Sequence, residues 1–350
     1  MTGRAEPSDR DDRIVLASLA LHPDRSRGLR DRCGGAGAVV AAVRSGRAEG
    51  IDPGKVATAA QCRAAVDAAG CRVVMLGDAE YPGQLAGIAD PPDLLFVRGP
   101  LPVGAGVAVV GTRGCTAYGT RIARDYGRAI AEAGWPLISG LARGIDAAAH
   151  TGTVTGGGVG VVVLGSGPDV VYPREHRPLG DRLLGLGGAV ITEYPPGTPP
   201  NGWRFPPRNR IISGLAGAVV VVEAAVTGGA LVTAARAVEQ GRAIFAVPGD
   251  IDREASAGCN RLIRDGAVPV FDADDLIEAL SLVLGPPRRP VEREPAEDED
   301  VPELVGPGGT TVDDLGARLG VSGPALLSLV GRMELAGAIR REGELILPGR

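Results

Sequence analysis

Arg113 closes the stretch Val107-Ala-Val-Val-Gly111-Thr112-Arg113-Gly114, where a run of small apolar residues meets a glycine turn that carries a cation. A buried parallel strand hands the chain to a phosphate-holding loop in this way. The amides from Gly111 to Gly114 are expected at a helix start, where the helix dipole favours anions. Two later segments share the design: Ser139-Gly140-Leu-Ala-Arg143-Gly-Ile-Asp146 and Thr227-Gly228-Gly229-Ala-Leu-Val-Thr233. Gly228 and Gly229 allow the backbone to approach a phosphate closely. One glycine-rich loop is weak evidence. Three of them describe a platform for several phosphates in a row.

Between the second and third loops stands Phe205-Pro-Pro-Arg208-Asn209-Arg210. Two arginines flanking an asparagine suit phosphate oxygens and a base edge together. Trp203 and Phe205 precede them, and aromatics beside cations stack exposed bases in single-strand binders. The alternative is that both rings anchor a tucked-in loop. Asp146 either caps its helix and orients an arginine, or bonds a ribose or base edge. His150, one turn on, reads as packing. Arg121, Arg124 and Arg128 share a helix face and read as solvated, with Asp125 as a partner. Glu193 and Glu223 end strands and could in principle do acid/base work, but neither has an evident nucleophile or metal beside it. Cys115 reads as a packing residue.

These residues need a scaffold, and the pattern supplies one. Helical segments open the chain: Ile14 to Leu19, Ala38 to Val43 and Val56 to Ala69, punctuated by Gly34-Gly35 and Asp52-Pro53-Gly54. Short strands follow at Cys71–Leu76 and Leu94–Val97. From Val107 to about Leu284, Val-rich strands alternate with helices, which predicts a mostly parallel α/β sheet covered on both faces. The strands are expected at 107–110, 137–138, 160–164, 189–191, 218–222, 244–247 and 268–271. The helices are expected at 118–133, 145–151, 179–186, 231–239 and 261–264. Such sheets bind ligands at the carboxyl ends of their strands, where all the loops above fall. Pro286-Pro287, Pro290 and the acidic run Glu297–Asp300 mark a linker. Beyond it, helices at 311–319 and 323–335, with a hairpin from Ile339 to Leu347, form the pattern of a winged helix. The domains are therefore 1–70 helical, 71–284 α/β, 285–302 linker and 303–350 winged-helix-like.

The 350 residues suit two or three domains, and the net charge of −5 excludes a protein that coats nucleic acid over its whole surface. A local basic groove remains compatible with that charge. Lys55 is the only lysine, so arginine supplies almost every cation. Five scattered cysteines without a CxxC pair favour reduced thiols in a cytosol over disulfides or a zinc site. The polar first dozen residues have no signal-peptide core. No apolar run approaches the ~20 residues of a membrane helix. From Glu303 to Arg350 acids outnumber arginines by one, which argues against a winged helix that reads DNA.

Val110-Gly-Thr-Arg113, Tyr118-Gly119, Ser139 to Asp146, His150, Tyr172-Pro173, Phe205 to Arg210, Gly229 to Ala234, Val247-Pro-Gly249 and Gly258-Cys-Asn260 stand in an order that resembles the DNA-processing protein A (DprA/Smf) family. The match is dense from Tyr81 to Phe271. The resemblance implies a SAM- or helix-hairpin-helix-like first domain and an extended Rossmann-like domain that binds single-stranded DNA in a basic pocket. It implies cytoplasmic action in natural transformation, protecting incoming strands and loading the RecA recombinase, by a homodimer with no cofactor or metal. Carried across, the pocket comprises Gly111, Thr112, Arg113, Ser139, Gly140, Arg143, Phe205, Arg208, Asn209, Arg210, Thr227, Gly228 and Gly229. The competing reading is a nucleotide-hydrolysing phosphoribohydrolase-like enzyme. Its catalytic glutamate is replaced here by Arg236.

Overall fold

In a computed structural model the described residues are 7–287 and, beyond them, 305, 309–319, 326, 330, 331, 333, 334, 338–343 and 345–348. The chain divides into two compact units, Met1–Arg288 and Arg289–Arg350.

The first unit opens with helices α1 (Pro7–Ser18), α2 (Pro23–Cys33), α3 (Ala36–Arg44) and α4 (Ala59–Ala68). Their apolar faces, including Val15, Val39, Val43 and Val66, close on Met75, Leu94 and Phe96. Those three belong to strands β1 (Arg72–Met75) and β2 (Leu94–Arg98), which flank the short helix α5 (Gly83–Ala86). The helical segment thus borrows the sheet's antiparallel edge to complete its core.

The main body alternates as the apolar runs require. Its elements are β3 (Gly106–Val110), α6 (Ala117–Glu132), β4 (Leu137–Ser139), α7 (Ile145–Thr155), β5 (Gly160–Val163), α8 (Arg177–Gly185), β6 (Ala189–Thr192), α9 (Phe205–Leu215), β7 (Ala216–Val221), α10 (Gly229–Glu239), β8 (Ala243–Ala246), α11 (Glu254–Arg264), β9 (Val268–Pro269) and α12 (Ala273–Leu284). The nine strands lie in the order β1-β2-β6-β5-β4-β3-β7-β8-β9. β2 pairs antiparallel with β1 and β6, and the other neighbours are parallel. Residues on alternate sides of each strand feed two apolar layers, one beneath α9, α10 and α11 and one beneath α6, α7 and α12. From β3 the chain winds outward through β4, β5 and β6, then returns to place β7 on β3's other side. The order therefore reverses between β3 and β7, where sheets of this type open a crevice.

Four helices escape the sequence pattern: α2, α5, α9 and α12. Pro206 and Pro207 read as breakers, yet they occupy the first turn of α9, where proline costs no hydrogen bond. Arg208, Asn209 and Arg210 therefore sit on a helix and not on a loop. α12 follows β9 without the glycine punctuation used elsewhere.

In the second unit, β10 (Thr310–Thr311), β11 (Ile339–Glu342) and β12 (Leu345–Pro348) form an antiparallel sheet in the order β10-β12-β11, with α13 (Val312–Leu319) following β10. The expected hairpin is present. Leu315, Val330, Ile339 and Ile346 share its apolar cluster. The acidic run Glu297–Asp300 and the turn at 320–322 lie outside the described residues, as does much of the helix expected at 323–335. No helix among the described residues is long and apolar enough to cross a membrane.

Candidate nucleic-acid interface

A cleft of about 680 Å³ opens at the crossover between β3 and β7. Gly111, Thr112 and Arg113 line it after β3, Phe205, Arg208 and Asn209 along α9, and Gly228 and Gly229 at the start of α10. Eight of the thirteen residues expected in the pocket are therefore brought to one place.

Arg208 is the buried cation of this cleft, with 4% of its surface exposed. Its guanidinium donates to the Gly140 carbonyl at 3.2 Å, to the Val163 carbonyl and to Asn209 Oδ1 at 3.3 Å. No carboxylate among the described residues forms an ion pair with it. Burial lowers its pKa to about 10, opposed mainly by the charge of Asp146 and reinforced by Arg113. Arg113 is exposed, likewise has no carboxylate ion pair among the described residues, and places its guanidinium carbon 5.1 Å from the centre of the Phe205 ring. Tyr172 leans on the same ring at 5.9 Å. Two guanidiniums without a direct carboxylate ion pair and two rings thus face one space.

The three expected anion nests differ from one another. α6 begins at Ala117, after Thr116, so Gly111 to Gly114 are not its first turn. Its start is already held by Glu223, which accepts from the Thr116 amide at 2.9 Å and the Thr116 hydroxyl at 2.6 Å. The Thr112 amide is spent on the Glu223 carbonyl at 2.7 Å. In the second loop Asp146 Oδ2 accepts from the amides of Gly140 and Ala142 at 3.1 and 3.3 Å. Burial raises the pKa of Asp146, with Arg208 and these amides pulling the other way. Asp146 thus braces the second loop beside an arginine, and it also lines the cleft. Only the third nest is open: α10 starts at Gly229 with no side-chain cap, facing the cleft. The Gly228 and Leu231 amides turn to the Ala225 and Gly228 carbonyls, each at 3.0 Å, so those of Gly229 and Ala230 are the ones left for an anion.

The second loop is packed against the first. Gly144 has φ +78° and comes so close to the Thr112 carbonyl that a Cβ there would lie 2.3 Å from it. Leu141, fully buried, holds a left-handed φ of 54°, a conformation that non-glycine residues adopt at a cost.

Five expected residues lie elsewhere. Arg210 points away from the cleft, 4% exposed, and binds both Glu193 oxygens at 3.0 and 2.8 Å and Asp90 Oδ2 at 3.0 Å. Consecutive turns of a helix cannot aim residues two apart in one direction, so Arg208 and Arg210 diverge. Ser139 is buried with its hydroxyl on the Val109 carbonyl at 2.7 Å. Gly140 lies beneath Arg208, whose guanidinium fills the place of a Cβ. Arg143 pairs with Glu175 at 2.5 Å at the exposed rim. Thr227 is exposed on the turn beside the cleft. Trp203 is an anchor: it meets His22 at 5.5 Å, Tyr194 edge-on at 6.2 Å and the Arg204 guanidinium at 4.7 Å. Tyr172 and Asn201, which the pocket residues above omit, line the cleft. The Tyr172-Pro173 pair was the signal available for the first.

The carboxylates that could have done acid/base work, Glu193 and Glu223, hold Arg210 and Thr116. No cluster of metal-ligating side chains occurs among the described residues. The five cysteines are free thiols.

A doubly wound sheet with a cationic crevice at its crossover defines a class of phosphate-binding α/β proteins. Within that class, residues 72–281 match the family model of the DNA recombination-mediator protein A, and residues 285–344 match that of the DprA winged helix domain. The chain belongs to the DNA recombination-mediator protein A family. It is 42% identical to Protein Smf of Escherichia coli over 270 residues, 74% of this chain and 72% of that protein. It is 38% identical to the DNA processing protein DprA of Bacillus subtilis over 214 residues, 60% of this chain and 72% of that protein. Its fold matches the X-ray structure of DprA from Streptococcus pneumoniae with a TM-score of 0.63 and 31% identity, over 75% of this chain and 95% of that one. It also matches DNA processing protein A of Helicobacter pylori, a structure described for its single-stranded DNA binding mode. There the TM-score is 0.54 and the identity 23%, over 61% of this chain and 97% of that one.

Proposed function

We propose that the cleft grips the sugar-phosphate backbone of single-stranded DNA, with no bond broken, and that the protein shields incoming strands and hands them to a RecA recombinase during natural transformation. The observation that carries the reading is Arg208, a buried guanidinium with no direct ion pair to a carboxylate among the described residues, lining an open cleft. Arg113 and the uncapped start of α10 add a second cation and free amides. Phe205 and Tyr172 offer faces on which unpaired bases stack. The Helicobacter pylori relative is described for the same ligand class. The reading includes a cytoplasmic homodimer without a cofactor, in which the winged helix contacts protein or binds duplex only weakly.

Anisotropy titrations with single-stranded, duplex and mononucleotide ligands test it. Single strands are expected to bind tightest, almost regardless of sequence, with a log–log salt slope growing by about 0.7 per phosphate neutralised. Release of free base from a mononucleotide, or duplex bound as tightly as single strand, would overturn the reading.

A further inference from the structure

The cleft contains a carboxylate of its own. Asp146 is buried and lines the same space as Arg208, Arg113 and Thr112. Its Oδ2 accepts from the Gly140 and Ala142 amides at 3.1 and 3.3 Å, and the Gly140 carbonyl accepts from Arg208 at 3.2 Å. Gly140 thus stands between a buried acid and a buried guanidinium, its amide on the first and its carbonyl on the second. A third side chain fixes the next residue: His176 Nδ1 donates to the carbonyl of the left-handed Leu141 at 2.8 Å. Three side chains from separate segments fasten residues 140–142, and Asp146 cannot turn out of the cleft without giving up both amides.

Asp146 and Arg208 act on each other's charge without forming an ion pair. The other charged or titratable groups around the second loop are accounted for. His150, one turn further along α7, is buried and neutral. Arg143 is held by Glu175, and Glu223 by Thr116. His176 is spent on Leu141, and Arg113 stands over Phe205. A phosphodiester bonded to Arg208 brings a second negative charge into the space that Asp146 lines. Like charges in one sheltered site raise each other's affinity for a proton. The phosphodiester stays ionised near neutral pH, so the carboxyl is the group that responds. Burial already raises its pKa. Once neutral it also carries an O–H donor.

We propose that Asp146 is the proton-linked residue of the cleft: a phosphodiester seated on Arg208 binds with the Asp146 carboxyl neutral, the proton coming from solvent. The inference rests on the cleft being a single-strand site. It makes ionised Asp146 a brake on binding, and it makes the hold on a strand depend on pH.

Calorimetric titration of the full chain with oligo-dT of about six nucleotides, within the usual size of one single-strand site, tests it. Each titration is run in two buffers of different ionisation enthalpy, from about pH 8 to about pH 5. Neither thymine nor a phosphodiester titrates there, so a proton taken up belongs to the protein. The complex holds the proton more tightly than the free protein does. Affinity is therefore greatest below the free protein's pKa and falls as the pH rises toward that of the complex, by at most about tenfold per pH unit for one proton. Asp146→Asn keeps an oxygen for the two amides and removes the charge. It is expected to take up no proton and to bind roughly fivefold or more tighter than the parent at about pH 8, as for one like charge removed at an effective dielectric constant of about 20. His176→Gln should keep the uptake. A parent that takes up no proton, undiminished uptake in Asp146→Asn, or loss of uptake in His176→Gln would overturn the link. Arg113→Ala separates the two readings: if it binds as the parent does, the cleft is not the site, and if it binds more weakly while the parent takes up no proton, only the link to Asp146 fails.

Discussion

Two regions of this protein are built from arginine, and they do opposite things with it. At the seam between the first helices and the sheet, Arg13 and Arg30 meet Asp93 at 2.9 and 2.6 Å. Arg27 approaches Asp90 at 3.5 Å, and Arg210 meets Asp90 and Glu193. Every arginine there has a carboxylate partner, and the result is a joint. In the cleft, Arg208 and Arg113 have no carboxylate ion pair among the described residues, and it is there that we propose the binding surface. The comparison teaches that counter-ion supply, not arginine content, separates structure from site. The backbone follows the same rule. Glu223 and Asp146 fill two of the three loops from inside, whereas α10 starts with no side-chain cap.

The contrast can be broken most directly at Arg210. Arg210→Ala leaves Glu193 and Asp90 facing an empty, buried place. Breaking a buried pair of this kind costs about 3–5 kcal/mol, read as a lowered midpoint in urea unfolding. Arg208→Ala and Arg113→Ala should instead each cost about 1–3 kcal/mol of single-strand affinity, as for lost charged hydrogen bonds, while unfolding later than Arg210→Ala. If Arg208→Ala proves the less stable of the two, or both cleft variants bind as the parent does, the division between joint and site is wrong.

A smaller effect concerns the support beneath the second loop. His150 is fully buried on α7, and its desolvation lowers its pKa to about 3. The folded protein refuses a proton that the unfolded chain, with an ordinary histidine pKa of about 6.5, accepts. Stability is therefore complete above pH ~6.5 and declines as the pH falls from there toward 3. Thermal midpoints measured from pH 7 to 5 should fall, and His150→Gln should flatten that decline. An unchanged profile in the variant would remove His150 from the account.

How much of this was legible beforehand differs from element to element. The alternation from Val107 onward announced β3 to β9 in order, because apolar runs and glycine turns are local signals. The three loops were found at the strand ends for the same reason. α9 was not anticipated, and its two prolines sit in the first turn, where the residue type by itself does not announce a helix. The role of Arg210 was misread because its partners lie 17 and 120 residues away in the chain. Glu223 likewise answers Thr116 across 107 residues.

By itself the sequence determined the layered α/β architecture, the winged-helix pattern, the family and the inventory of cations. Hydrophobic periodicity and turn chemistry act between near neighbours, and they are written in residue order. Only the tertiary structure decided which arginines are neutralised and which nest is vacant. Those outcomes depend on carboxylates delivered from remote segments by the winding of the sheet, and electrostatic matching in a buried place is a property of the assembled whole.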